Sequence, residues 1–155
     1  MADFTVQFDG FAKLERDWIR LAADLGPRRA RTVVNAPIRN ALRVVRSDIQ
    51  ANTPVDTGGL RQSIRQNTRI ASRSELARGT FTRDDVAVGR VGWFWTGESL
   101  WFQALAVEYG TRQVAAQNVL RSALERNVDQ VLRTLSNDLG QAIERRAAQF
   151  ARTGR

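Results

Sequence analysis

Carboxylates are the only side chains in this sequence placed to do acid–base chemistry. The chain has no histidine and no cysteine. The commonest general base and the commonest metal ligand are therefore missing. Serine–histidine and cysteine–histidine nucleophiles are excluded, and so are thiolate and imidazole zinc sites. Asp84 and Asp85 are adjacent. In a strand they would point to opposite faces, which defeats a shared acid–base pair. Asp56, Glu98 and Glu108 sit near turns or strand ends, where Asp shapes turns and Glu is solvated. Gly58-Gly59 lacks both the spacing and the following lysine of a phosphate loop. No catalytic, cofactor-binding or metal-binding residue is assigned, no cofactor is expected, and the expected class is not an enzyme.

Binding chemistry is better supplied. Trp93, Trp95 and Trp101 cluster with Phe94 and Phe102. Aromatics beside arginines can form a stacking platform for nucleic acid. In a strand, however, Trp93 and Trp95 share one face and Phe94 takes the other. Core packing is the favoured reading and a subunit interface the next, since Trp and Arg are enriched at interface centres. The 24 basic residues exceed the 16 acidic ones, a net charge of +8, and Lys13 is the only lysine. GC-rich coding explains such an arginine skew; so does a need for the planar fork that grips phosphates and interfaces. Arg28, Arg29, Arg31, Arg39 and Arg43 are the candidates to face acidic neighbours or DNA. Solvated arginine is the ordinary explanation for such a row.

Elements must position these groups. A chain of 155 residues, 43% apolar and 26% charged, fits one domain and can bury roughly two thirds of its unfolded surface. Residues 1–150 are expected to form it, with 151–155 frayed. Alternation of Phe4, Val6 and Phe8 with Thr5 and Gln7 predicts a short strand. Asp9 would cap a helix to about Leu25, with Phe11, Leu14, Trp18, Leu21, Ala22 and Leu25 as its stripe, ended by Gly26-Pro27. A second helix is expected from near Asn35 to about Ala51, with Pro37 in its first turn. Its buried stripe is Ile38, Leu42, Val45 and Ile49. Three strands follow, at residues 63–72, 86–95 and 100–109, around a polar loop at 75–85. Gly89 and Gly92 mark a bulge or a close backbone approach. From about Ala115 a long helix is expected, carried by Leu120, Leu124, Val128, Val131, Leu135, Leu139 and Ile143. Its length predicts a bend near Asn137 or Gly140, or an end that packs on a neighbour. The class is α+β, with N-terminal helices and a long C-terminal helix on a small, mainly antiparallel sheet of three to four strands.

Two short segments join these elements. In Thr53-Pro54-Val55-Asp56-Thr57-Gly58-Gly59-Leu60-Arg61, Pro54 forces Thr53 to be extended and ends the helix. Asp56 or Thr57 can bond the backbone ahead, and the glycines supply positive φ. Leu60 would anchor the turn in the core, leaving Arg61 to pair with a carboxylate; Glu108 is the candidate. In Ala106-Val107-Glu108-Tyr109-Gly110-Thr111, the Tyr109-Gly110-Thr111 corner ends a strand and redirects the chain.

These segments carry a resemblance. Residues 53–64 look like the Pro-x-x-Thr-Gly-x-Leu-Arg-x-Ser signature of the small head–tail joining, or tail-completion, proteins of tailed phages. Residues 106–111 resemble that family's Ala-x-x-Glu-Phe/Tyr-Gly-Thr. Residues 118–125, Asn-Val-Leu-Arg-Ser-Ala-Leu-Glu, are similar to its Pro-Phe-Leu-Arg-Pro-Ala-Leu-Glu, with Asn118 and Ser122 in place of the prolines. The likeness spans residues 35–145. It implies a structural virion protein of the neck, minor among tail components of the siphophage type. It also implies a homo-oligomeric ring, six-fold by analogy with the tail tube, around the channel that passes DNA. Connector or stopper and tail tube proteins would be its neighbours. Closed rings use heterologous interfaces.

Met1-Ala2-Asp3-Phe4-Thr5 does not read as a signal peptide, and no stretch is long enough to span a bilayer. The chain is therefore expected to be made and kept in the cytoplasm, with no membrane; the resemblance implies that this is a host cytoplasm, where it is assembled, and that it resides in the virion. The rival reading is a free-standing basic nucleic-acid-binding module, which would bind DNA with a steep salt dependence. A small carboxylate hydrolase is a further rival. Tail terminator, tail completion and stopper roles stay open within the phage reading.

Overall fold

The computed structural model describes residues 27–56, 58–69, 87–94 and 98–153, together with Arg16, Ile19, Ala23, Ser74 and residues 77–79. The strand expected at 4–8, most of the helix after Asp9 and nearly all of the 75–85 loop lie outside the described residues. So do Thr57, Trp95 and the Asp84-Asp85 pair. Among the described residues the bounded elements are, in order, α1 (Pro27–Asn52), α2 (Gly59–Gln62), β1 (Ile64–Arg69), β2 (Val88–Trp93), α3 (Glu98–Tyr109) and α4 (Val119–Thr153). The fold is α+β. Among the described residues β1 and β2 form a two-stranded antiparallel sheet, fewer strands than expected.

The missing strand is a helix. Residues 100–109 become α3. Residues 99–107 carry no charge and are apolar on nearly every side, so neither a period of two nor one of 3.6 can be read in them. Ala104 and Glu108 are buried, and Leu100 and Val107 pack on the core. That is helical spacing. Trp101, Phe102 and Tyr109 are left exposed.

α1 begins at Pro27, eight residues before the expected start, and holds Pro37 inside it. Pro27 is tolerated because the first helical N–H has no partner to lose. Pro37 removes an interior bond, yet the helix continues. Val34, Pro37, Ala41, Val45 and Ile49 recur every three or four residues and are all buried. Ile38 and Leu42, placed on the expected stripe, are only half-buried. α4 starts at Val119, later than expected, and its 35 residues run unbroken through Asn137 and Gly140. At 1.5 Å per residue it is about 50 Å long. Its buried seam at the start is Val119 and Ala123 rather than Leu120 and Leu124; Leu124 is 39% exposed. The helix persists through Thr153 instead of fraying from 151.

The described chain forms two compact units. One comprises Met1–Ile38, Thr68–Val88 and Arg133–Arg155; among its described residues Val34, Val88 and Ile143 are buried. The other comprises Arg39–Asn67 and Gly89–Leu132. Its core is Val45, Ile49, Leu60, Ile64, Trp93, Ala104, Val119 and Ala123. Gln66 Nε2 donates to the Arg39 carbonyl at 2.9 Å, tying β1 to α1.

Within this second unit a polar clamp joins α1 to α4. Asp48 accepts from Arg126 Nη2 at 3.0 Å, Arg126 Nε at 3.1 Å and Asn127 Nδ2 at 2.6 Å. The hydrogen bond from Arg126 is the main reason the Asp48 carboxyl lies below its ordinary value of 3.8. Asn127, the Arg126 charge and Asn52 act the same way, while partial burial opposes them. A depressed carboxylate stabilises the fold above its unfolded pKa, and that stabilisation is lost as pH falls through the folded value. Asp48→Asn should therefore cost about 1 kcal/mol at neutral pH. In denaturant titrations the gap to the wild type should close as pH drops below 3.8. A gap constant down to strong acid would contradict the clamp.

Candidate functional site

The first hinge follows α1. Thr53 is buried, and both its N–H (2.9 Å) and its Oγ1 (2.6 Å) donate to the Ile49 carbonyl. Pro54 cannot continue the helix. Pro54, Val55 and Asp56 are exposed. Gly58 then takes φ +81°, and α2 opens with Gln62 N–H donating to the Gly58 carbonyl at 3.0 Å. Leu60 is 6% exposed and sits in the core, as the motif reading expects. Ser63 Oγ donates to the Leu60 carbonyl at 2.7 Å, and the Ser63 carbonyl accepts from Phe94 N–H at 2.9 Å. The hinge is thus bolted to the end of β2.

Arg61 does not pair with Glu108. Arg61 Nε donates to the Gln50 carbonyl at 2.6 Å. The last carbonyls of a helix lack internal partners, and a nearby cation satisfies them. A helix end eleven residues away outcompetes a carboxylate that has its own donors.

The second hinge follows α3, and Glu108 governs it. Its side chain is buried, with Oε2 accepting from Leu120 N–H at 2.9 Å and Oε1 from Arg121 N–H at 3.2 Å. These are unpaired donors of the first turn of α4. The carboxylate from one helix therefore caps the next and meets its positive end. Asn118, just before α4, has φ +49°. Asn tolerates that conformation, whereas proline is held near −65°. The chain thus enters α4 by a route that the proline of the family pattern could not follow. Gly110 has φ +76°, and its N–H donates to the Ala106 carbonyl at 2.9 Å. Thr111 closes the corner: its N–H donates to the Val114 carbonyl at 2.8 Å, and its Oγ1 accepts from Gln113 and Val114 N–H. The Val107 and Glu108 carbonyls accept from Gln117 and Asn118 N–H.

Three clefts flank α3. One, of about 480 Å³, is lined by Arg90, Trp93, Phe94, Trp101, Leu105 and Tyr109 among others. A second lies between Pro54, Asp56 and Gly58 on one side and Gln103 and Ala106 on the other. A third runs from Phe102 to Tyr109, Gly110 and Thr111. Both hinges therefore border the outer face of α3; the sequence reading also brought them together, but through an Arg61–Glu108 pair that does not form. Trp93 is 8% exposed and belongs to the core; Trp101 is 41% exposed. The Arg90 guanidinium lies 5.7 Å from the Phe94 ring centroid, a cation–π distance. Arg39 and Arg43 are exposed on α1, Arg43 donating to Asn40 Oδ1 at 3.1 Å. Arg28, Arg29 and Arg31 lie in the first two turns of α1.

Asp48 is a structural residue that sequence reasoning missed; Thr53 and Asn118 were named in the motifs, but not the bond of the Thr53 hydroxyl to Ile49 or the positive φ of Asn118. Thr53 had a signal, since a Thr at a helix end can turn its hydroxyl back to the i−4 carbonyl. Asp48 had none. Among the described residues no three Asp or Glu side chains gather as a metal site would require. No helix of the described residues is long and apolar enough to cross a membrane. The chain matches no family model, no curated protein and no solved structure.

Proposed function

We propose that this chain is a structural protein of a tailed-phage particle and not an enzyme. It stands in the neck, as part of the head–tail joining or tail-completion and terminator ring through which DNA passes. Its partners are further copies of itself, six by analogy with the tail tube, and the connector, stopper and tail tube proteins on either side. It is assembled in the host cytoplasm and carried in the virion.

One observation supports this reading above the others. The Glu108 of the second motif holds the backbone N–H groups of the third, and Leu60 of the first packs in the same core. Segments that resemble three pieces of one family pattern thus serve one framework of hinges. The side chains of Thr53, Arg61, Ser63, Glu108 and Thr111 are spent on backbone.

Deleting the gene from its parent element and imaging the particles tests the proposal. Heads and tails that form but fail to join indicate completion or joining, and overlong tails indicate termination. Intact, infectious particles would refute the proposal.

A further inference from the structure

We infer that the outer face of α3, edged by the two hinges, is the docking surface for a second copy of this chain. The inference rests on the assembly reading above for its partner and adds the residues that meet it. Trp101, Phe102 and Tyr109 are 41%, 68% and 72% exposed. At about 200 Å² per aromatic side chain they leave roughly 350 Å² uncovered. The largest apolar patch of a typical monomer is about that size and is often functional, and this one is nearly half of the roughly 800 Å² that one partner contributes to a standard interface. Val55 and Val114, 61% and 49% exposed, sit on the hinges that border it.

Charge selects the occupant. Residues 99–107 and 113–120 are the two longest runs without Asp, Glu, Lys or Arg in the chain. Between residues 91 and 120 the charged residues are Glu98, Glu108 and Arg112, a net of −1, so the rest of the chain carries +9. Two copies repel each other over that remainder, and the α3 face is the part of a copy that brings almost no charge to the contact, whichever surface of the next copy it meets. DNA or an acidic protein would find Arg112 as the only cation in that stretch.

Sedimentation velocity on the full chain tests the face directly. The wild type should self-associate as concentration rises. Phe102→Glu, on a mostly exposed side chain, should keep the circular dichroism spectrum and weaken association about thirtyfold, the loss expected of an interface hot spot. Because the chain has no cysteine, Gln103→Cys supplies a unique thiol, which maleimide should label more slowly at concentrations where the chain associates. A wild type that stays monomeric, or association unchanged by Phe102→Glu with the Gln103→Cys thiol equally reactive throughout, overturns the inference. Association that ignores Phe102 and leaves the Gln103→Cys thiol reactive would remove the α3 face and leave the neck proposal standing. Intact particles after gene deletion would remove the neck proposal and leave the self-association result as it was.

Discussion

Gly110→Ala should lower the thermal unfolding midpoint by about 10 °C, the largest effect expected of any single methyl group here. Two costs add. An alanine held at φ +76° pays about 1–2 kcal/mol for the left-handed backbone. Its Cβ would also stand 2.7 Å from Ala116 N, 2.8 Å from the Val114 carbonyl oxygen and 3.2 Å from Ala115 C. All three are backbone atoms. The corner cannot retreat without breaking the Thr111 bonds to Val114 and the Gln117 bond to Val107. Together these amount to about 3 kcal/mol or more, at about 2–4 °C per kcal/mol for a chain of this size. Gly58→Ala is the control. Its φ of +81° is as unfavourable, but the nearest atom is the end of the Gln62 side chain at 3.8 Å. It should lose only the conformational term, about 3–5 °C. Calorimetry on the two variants separates space from conformation. Midpoints within about 2 °C of each other would mean that the corner yields and the packing account is wrong.

The two hinges were legible in the sequence because their information is local. Pro54 and Gly58 act on their own backbone, so residue type alone locates the turn. Leu60, an apolar residue just past a glycine pair, could go nowhere but the core. The helical stripe of Val45 and Ile49 was legible for the same reason. What failed was non-local or lacked contrast. α3 was taken for a strand because residues 99–107 offer no polar residue save Ser99 and Gln103 to mark an outer face. The cause of that failure is informative: a helix without a polar face has a second side to cover. Arg61 and Glu108 were matched by opposite charge. Each instead serves a helix end, where orphan backbone groups make a stronger demand than a partly exposed ion pair worth about 1 kcal/mol or less. Pro37 was read as a start signal, though burial along α1 overrides its missing bond. The Asp48 clamp joins residues 78 and 79 positions apart, and no spacing rule reaches that far.

Glu108→Ala should destabilise the fold nearly as much as the glycine substitution, by about 3 kcal/mol, and by a different route. Losing a helix cap costs about 1 kcal/mol. Here the cap is a charged acceptor shared by two N–H groups, and hydrogen bonds to charged groups contribute about 1.5–3 kcal/mol each. Glu108 is 8% exposed, so water cannot readily take the place of its carboxylate. Asn118, the residue from which a capping side chain normally comes, is committed to φ +49°. Glu108→Gln keeps an acceptor of the same length but gives up the charge, and should recover about half the loss. Glu108→Asp falls one methylene short of the Leu120 and Arg121 amides and should behave more like alanine. Hydrogen exchange tells the cap apart from generic core damage. With the alanine variant, protection should fall first at the Leu120 and Arg121 amides and spread along α4, while Ile49 and Ile64 keep theirs. Uniform loss across the unit, or an alanine variant as stable as the glutamine one, would show that the carboxylate does not hold the helix. Because the Glu108 carboxylate faces backbone and not the outer surface of α3, any effect on self-association should follow folding and return on cooling. The effect of Phe102→Glu should persist at every temperature at which the chain is folded.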